Sequence, residues 1–148
     1  SRGTTIEKKG AAVKTIEHTL AAIVGLEIDN ILIDINCPET PILDGSSKPF
    51  IDVLLQAGVI EQEAERKIFN LDTVITFNDP DSKVEMIAMP SDRYKITTMI
   101  DFETKVLGTQ NAILNDISQF KDEIAPCRTF IFLHELHIGI SLFRLFIS

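Results

Sequence analysis

Positive charge is in short supply in this chain: 14 Lys and Arg stand against 22 Asp and Glu, leaving a formal net charge of -8 and a pI near 4.8. A surface of that sign has little with which to neutralise phosphates along a polyanion, so nucleic-acid binding is excluded as the working expectation. Cysteine is scarcer still. Cys37 and Cys127 are far apart, and neither belongs to a Cys-x-x-Cys pair, which excludes a disulfide scaffold and a zinc knuckle and predicts reduced thiols in a cytoplasmic protein. No basic start followed by an apolar core and a small-residue cleavage site is present, so no export signal is expected. The most apolar run, Phe130 to Ser148, is broken by Glu135, Arg144 and the histidines 134 and 137 before it reaches the ~20 residues of a spanning helix. There is no P-loop, no dinucleotide glycine pattern and no Gly-x-Ser-x-Gly elbow, and neither a fixed-period repeat nor a low-complexity tract. The chain opens on Ser1 rather than Met, which reads as a fragment.

What is there suits a packed fold. The 148 residues are 45% hydrophobic, enough for one ordinary domain or two small ones, and disorder is excluded as the main description. Val13, Ile16, Leu20, Ile23 and Val24 recur at helical spacing, with Gly25 where a helix commonly stops. Residues 28–35 are rich in isoleucine and predict a short, mostly buried strand, ended by Pro38 and Pro41. Leu43 to Pro49 predicts a turn leading into a helix over 50–57, with Ser47 as N-cap and Gly58 as stop. The charged run 61–67 suggests a domain boundary near residue 62. Residues 71–77 and 83–89 flank Asn78-Asp79-Pro80-Asp81-Ser82 and predict a hairpin. Residues 94–102 predict a third strand, 114–124 an amphipathic helix before Pro126, and 129–133 a further strand.

Among residues able to carry chemistry, Glu17-His18 is the most informative pair. Counted at about 100° per residue, Glu17 falls between Val13 and Val24 in the apolar stripe, and His18 points about 100° further round. A carboxylate without a partner in apolar surroundings is pushed towards proton exchange near neutral pH, which suggests a general base. The plainer alternative is a stripe-edge acid that pairs with a lysine or caps a loop, just as a lone histidine is more often a surface or satisfied core residue than a metal ligand. His134-Glu135-Leu136-His137 fails as a zinc-protease motif, because its histidines are three apart after a strand-like run. Asp44-Gly45-Ser46 is common turn chemistry.

Taken together, these residues resemble a known family. The run Val13-Lys-Thr-Ile-Glu-His-Thr-Leu-Ala-Ala-Ile-Val-Gly-Leu-Glu-Ile-Asp-Asn30 is followed by Asn36-Cys-Pro-Glu-Thr-Pro-Ile-Leu-Asp-Gly-Ser-Ser-Lys-Pro-Phe50 and Gln56-Ala-Gly58. In that order they resemble the UDP-3-O-acyl-N-acetylglucosamine deacetylases (LpxC), zinc amidohydrolases of lipid A synthesis. Ser1-Arg-Gly-Thr-Thr5 and Ile124-Ala-Pro-Cys-Arg-Thr-Phe130 match two further family segments, and the resemblance spans about residues 1 to 136. Val106-Leu-Gly-Thr-Gln110 and Phe120-Lys-Asp-Glu-Ile124 are similar to the branch fused to a 3-hydroxyacyl-carrier-protein dehydratase.

The resemblance implies an α+β fold of two similar domains, each a sheet covered by a helix pair, with the active site between them. Residues 1–62 correspond to the latter part of the first domain and 63–148 to the early part of the second, both incomplete. It further implies that His18 is a zinc ligand, Glu17 the general base, and Thr129 the donor to the oxygen that develops negative charge. Phe130, Ser1 and Arg2 match residues of the substrate site, and the implied substrate is UDP-3-O-(3-hydroxyacyl)-N-acetylglucosamine. The family's remaining zinc ligands, in a His-Lys-x-x-Asp motif, and its general acid have no counterpart here, and residues 137–148 match no family segment. The chain alone is therefore expected to be inactive. The rival expectation is a non-catalytic remnant or nucleotide-sugar binding module on the same scaffold.

Overall fold

The computed structural model describes residues 3–129. The chain is α+β, and its described residues form three two-stranded antiparallel hairpins and two α-helices. Strands β1 (Thr5–Lys8) and β2 (Ala11–Lys14) form the first hairpin, with Ile6 opposite Val13. Lys9 and Gly10 both have positive φ (54° and 83°), the two-residue turn whose twist matches the flanking strands. Helix α1 (Glu17–Gly25) follows, and after a long connection α2 (Lys48–Ala57). The second hairpin pairs β3 (Ile75–Asp79) with β4 (Val84–Ala88), as the turn residues between them predicted. The third pairs β5 (Ile96–Asp101) with β6 (Thr109–Leu114).

The buried core is the cluster Ala22, Ile51, Leu114, Phe120 and Ala125, against which Leu26, Phe50, Leu54 and Ile124 pack. It draws on both sides of position 62. Helices α1 and α2 bring the first two side chains, while the end of β6 and the turns after it bring the others. Those turns replace the single amphipathic helix expected over 114–124. A 3₁₀ turn at Ile117–Gln119 is followed by a π-type turn at Phe120–Ile124, closed where the Ala125 N–H donates to the Phe120 carbonyl (2.8 Å). The wider turn sets the Phe120 ring on α1 at Gly25.

One other expectation is corrected, and two hold in position but not in how the position is satisfied. Residues 28–35 form no strand: their composition suits one, but a strand needs a ladder partner, and among the described residues only Ile28 of this segment makes a backbone hydrogen bond outside regular elements, to Ile23 (3.0 Å). Ile31, Leu32, Ile33 and Ile35 are exposed and line an apolar cleft of about 500 Å³ with α1 and α2. Ser47 is the N-cap residue of α2, as expected, but its side chain makes no cap hydrogen bond. Instead the Ala125 carbonyl accepts the Ser47 and Lys48 N–H groups (3.1 Å each), and the Ser46 hydroxyl accepts from Lys48 (3.3 Å). Gly25 is the last residue of α1, as expected, but it stops the helix without a positive φ; the left-handed residue is Glu27 (φ 54°). Most of the expected strand over 129–133 lies outside the described residues. Among the described residues no helix is long and apolar enough to cross a membrane, and Cys37 and Cys127 are free and exposed.

Candidate active site

The helical phase counted from Val13 does not survive the fold, because Val13 lies in β2 and Thr15 takes a left-handed backbone (φ 57°) before α1 begins. The helix therefore starts in a new phase. Its buried residues are His18, Ala22, Ile23 and Gly25, whereas Leu20 and Val24 of the expected stripe are exposed. The result exchanges the roles drawn from periodicity: the imidazole, not the carboxylate, is the group turned inward.

Glu17 is half-buried, and its carboxylate accepts the Thr4 N–H at 3.0 Å. Thr4 in turn accepts the Ile16 N–H at its carbonyl (3.4 Å). Glu17 thus ties the segment before β1 to the head of the helix, the loop-capping arrangement, and its negative charge in the first turn is favoured by the helix dipole. One carboxylate oxygen is engaged with Thr4; the other makes no hydrogen bond among the described residues. His18 is 8% exposed, and its Nε2 is buried without a partner among the described residues. An imidazole nitrogen left in that state costs about 1–3 kcal/mol relative to a satisfied one, and the unprotonated nitrogen of a neutral imidazole is a metal ligand.

Thr129 is seated elsewhere, on the turn before α2. Its N–H donates to the Gly45 carbonyl (2.9 Å), and its hydroxyl lies 3.5 Å from the same oxygen. Gly45 has φ +81°, and a Cβ there would come within 3.3 Å of Thr129 Oγ1, so both conformation and space call for glycine. The turn is organised by Asp44, which accepts from the Ser46 N–H (3.1 Å) and hydroxyl (2.7 Å). Arg128 approaches the same carboxylate (3.6 Å). The Ser46 hydroxyl first, then the backbone bond and Arg128, hold the Asp44 carboxyl below the usual aspartate range.

The structure joins Glu17 and His18 on one helical turn and Thr129 to Gly45, and among the described residues no hydrogen bond links the two groups. Ser1, Arg2, Phe130, His134 and His137 lie outside the described residues. The sequence spelled the Asp44 turn but gave no sign of its tenant, since the contact between Gly45 and Thr129 spans 84 residues. A catalytic zinc site takes three protein ligands. His18 fits one of them by its unpartnered buried nitrogen, and among the described residues no group of three or more His, Cys, Asp or Glu comes together.

Residues 1–140 match the family model described as LpxC, UDP-3-O-acyl N-acetylglycosamine deacetylase, so the match takes in residues 137–140, for which the resemblance had offered no counterpart. The chain belongs to the LpxC family. It is 44% identical over 136 residues to a bifunctional enzyme LpxC/FabZ of Chlorobaculum tepidum, covering 91% of this chain and 29% of that protein. Against the UDP-3-O-acyl-N-acetylglucosamine deacetylase of Syntrophotalea carbinolica the identity is 43% over 134 residues, covering 90% of this chain and 43% of the relative. A bifunctional LpxC/FabZ of Porphyromonas gingivalis is 39% identical over 137 residues, with 93% and 30% covered. The chain thus spans less than half the length of these curated LpxC relatives.

Proposed function

We propose that this chain is the portion of a UDP-3-O-(3-hydroxyacyl)-N-acetylglucosamine deacetylase that carries one zinc ligand and the general base. The observation that supports the reading is the pairing on α1 of a buried imidazole with an unpartnered Nε2 and an adjacent carboxylate, in a chain of the LpxC family. In this reading His18 is the metal ligand. Glu17 takes a proton from the attacking water, the separate general acid that this chain does not contain protonates the leaving nitrogen, acetate leaves, and the glucosamine amine is freed. Zinc, when bound, supplies Lewis acidity. The Thr129 hydroxyl donates to the oxygen that gains charge as the amide is attacked. Ser1, Arg2 and Phe130 belong to the substrate site.

In this reading the other ligands come from a His-Lys-x-x-Asp motif that these 148 residues do not contain, so the chain alone does not turn over. Residues 1–62 and 63–148 are read as parts of two domains that flank the site. The reaction belongs to lipid A synthesis in the cytoplasm, and the LpxC/FabZ names of two relatives make a fused dehydratase the proposed partner of the deacetylase.

The test uses the protein that carries this chain, with zinc per chain and acetate release as readouts. Glu17→Gln should retain zinc and lose about 10²- to 10⁴-fold in turnover, the usual worth of one base. His18→Ala should lose zinc as well. Near-full turnover in Glu17→Gln at saturating zinc removes the base assignment.

A further inference from the structure

The corner between β2 and α1 is built on an unfavourable backbone. Thr15 has φ 57°, a left-handed conformation in which a β-branched side chain is a genuine outlier, and it stands two residues before Glu17 and three before His18. Such a conformation persists only where its surroundings over-determine it. Here they do so from a segment 24 residues away: the Thr15 hydroxyl donates to the Glu39 carboxylate (2.5 Å), and the hydroxyl of buried Thr40 donates to the Thr15 carbonyl. The backbone adds a parallel bridge between Lys14 and Glu39, in which the Lys14 N–H donates to the Pro38 carbonyl (2.9 Å) and the Thr40 N–H to the Lys14 carbonyl (3.1 Å). From the other side Thr4 grips Ile16 and Glu17.

We infer that Glu39 and Thr40 are positioning residues of the proposed deacetylase, acting through the Thr15 corner to fix the helical phase in which His18 faces inward and Glu17 addresses the Thr4 side. The inference rests on the deacetylase reading above. Its physical content is angular. Each residue of a helix turns the next by about 100°, so a corner that relaxed by one residue before α1 would swing both side chains by a quarter turn or more. That displacement is large against the tolerance of a catalytic pair, for which a misplacement of about 1 Å costs on the order of 10²-fold. Thr15 itself supplies the link: its backbone makes the turn, its hydroxyl and carbonyl take the two clamps, and Ile16, the next residue, is buried at the N-cap of the helix.

The experiment uses the zinc-loaded protein that carries this chain and compares Thr40→Val, which keeps the shape and deletes the donor, with Thr40→Ser, which restores it. Thr40→Val should lower kcat by about 10- to 100-fold with little change in KM, and should weaken zinc retention. Thr40→Ser should recover most of both. A Thr40→Val protein with wild-type kcat and zinc content overturns the inference, as does a loss of melting temperature and kcat that Thr40→Ser does not recover. Should Thr40→Val fail to fold, Glu39→Ala at the exposed end of the clamp takes its place, and wild-type kcat and zinc content there overturn the inference equally. Absence of acetate release from the wild type overturns the deacetylase reading, and the inference with it; an active wild type with an inactive Glu17→Gln keeps that reading whatever Thr40 shows.

Discussion

Gly25 and Phe120 meet so closely that no side chain fits between them: a Cβ added at Gly25 would lie 2.0 Å from Cδ1 of the Phe120 ring. The last residue of α1 is thus a seat for the ring that closes the core, and the glycine is required by space rather than by its own φ.

Gly25→Ala should consequently overpack the contact and cost about 1–3 kcal/mol, although alanine is the better helix former. The measurement is the denaturation midpoint. An unchanged midpoint would mean that Phe120 moves aside freely and that the contact does not define the core.

Thr129→Val should lower turnover of the proposed deacetylase with little effect on substrate affinity, because a donor to developing charge serves the transition state more than the ground state. Steady-state kinetics separate the two. An effect confined to KM would remove Thr129 from the reaction.

The Asp44 turn should carry a pH signature. Its folded carboxyl is held below the 3.8 usual for an aspartate, chiefly by the Ser46 hydroxyl, so its stabilising contribution is present above that value and is lost as pH falls through the folded pKa. The melting-temperature gap between wild type and Asp44→Asn should therefore narrow between about pH 6 and about pH 3. A gap that widens on acidification would reverse the assigned sign.

Local signals in the sequence were legible where they were self-contained. The Asn78 to Ser82 turn carried its hairpin, and the Asp44 turn was recognisable from Asp-Gly-Ser alone. The second helix was also legible, two residues short at its start. Elements that depend on distant partners were not. Residues 28–35 had strand composition without a neighbouring strand, and β6 was hidden because Leu114 was assigned to a helix when it ends a strand. At the site, the residues Glu17 and His18 were legible and their orientations were not. The Lys9-Gly10 turn put Val13 in a strand, and one left-handed residue at Thr15 then reset the helical phase that periodicity had carried through from Val13.

The make-up of the core also governs when it can form. Ala22 and Ile51 gain the company of Leu114, Phe120 and Ala125 only after the chain has been extended through both later hairpins, and the Ala125 carbonyl then closes the start of α2. Contacts of such long sequence separation are slow to close, since loop entropy opposes them before packing repays it. On the ribosome, α1 and α2 emerge well before this closure, and a nascent chain halted ahead of Leu114 holds them without the side chains that bury Ala22 and Ile51. Pulse proteolysis of stalled chains should therefore find protection of α2 arriving with residue 125 rather than with the helix itself.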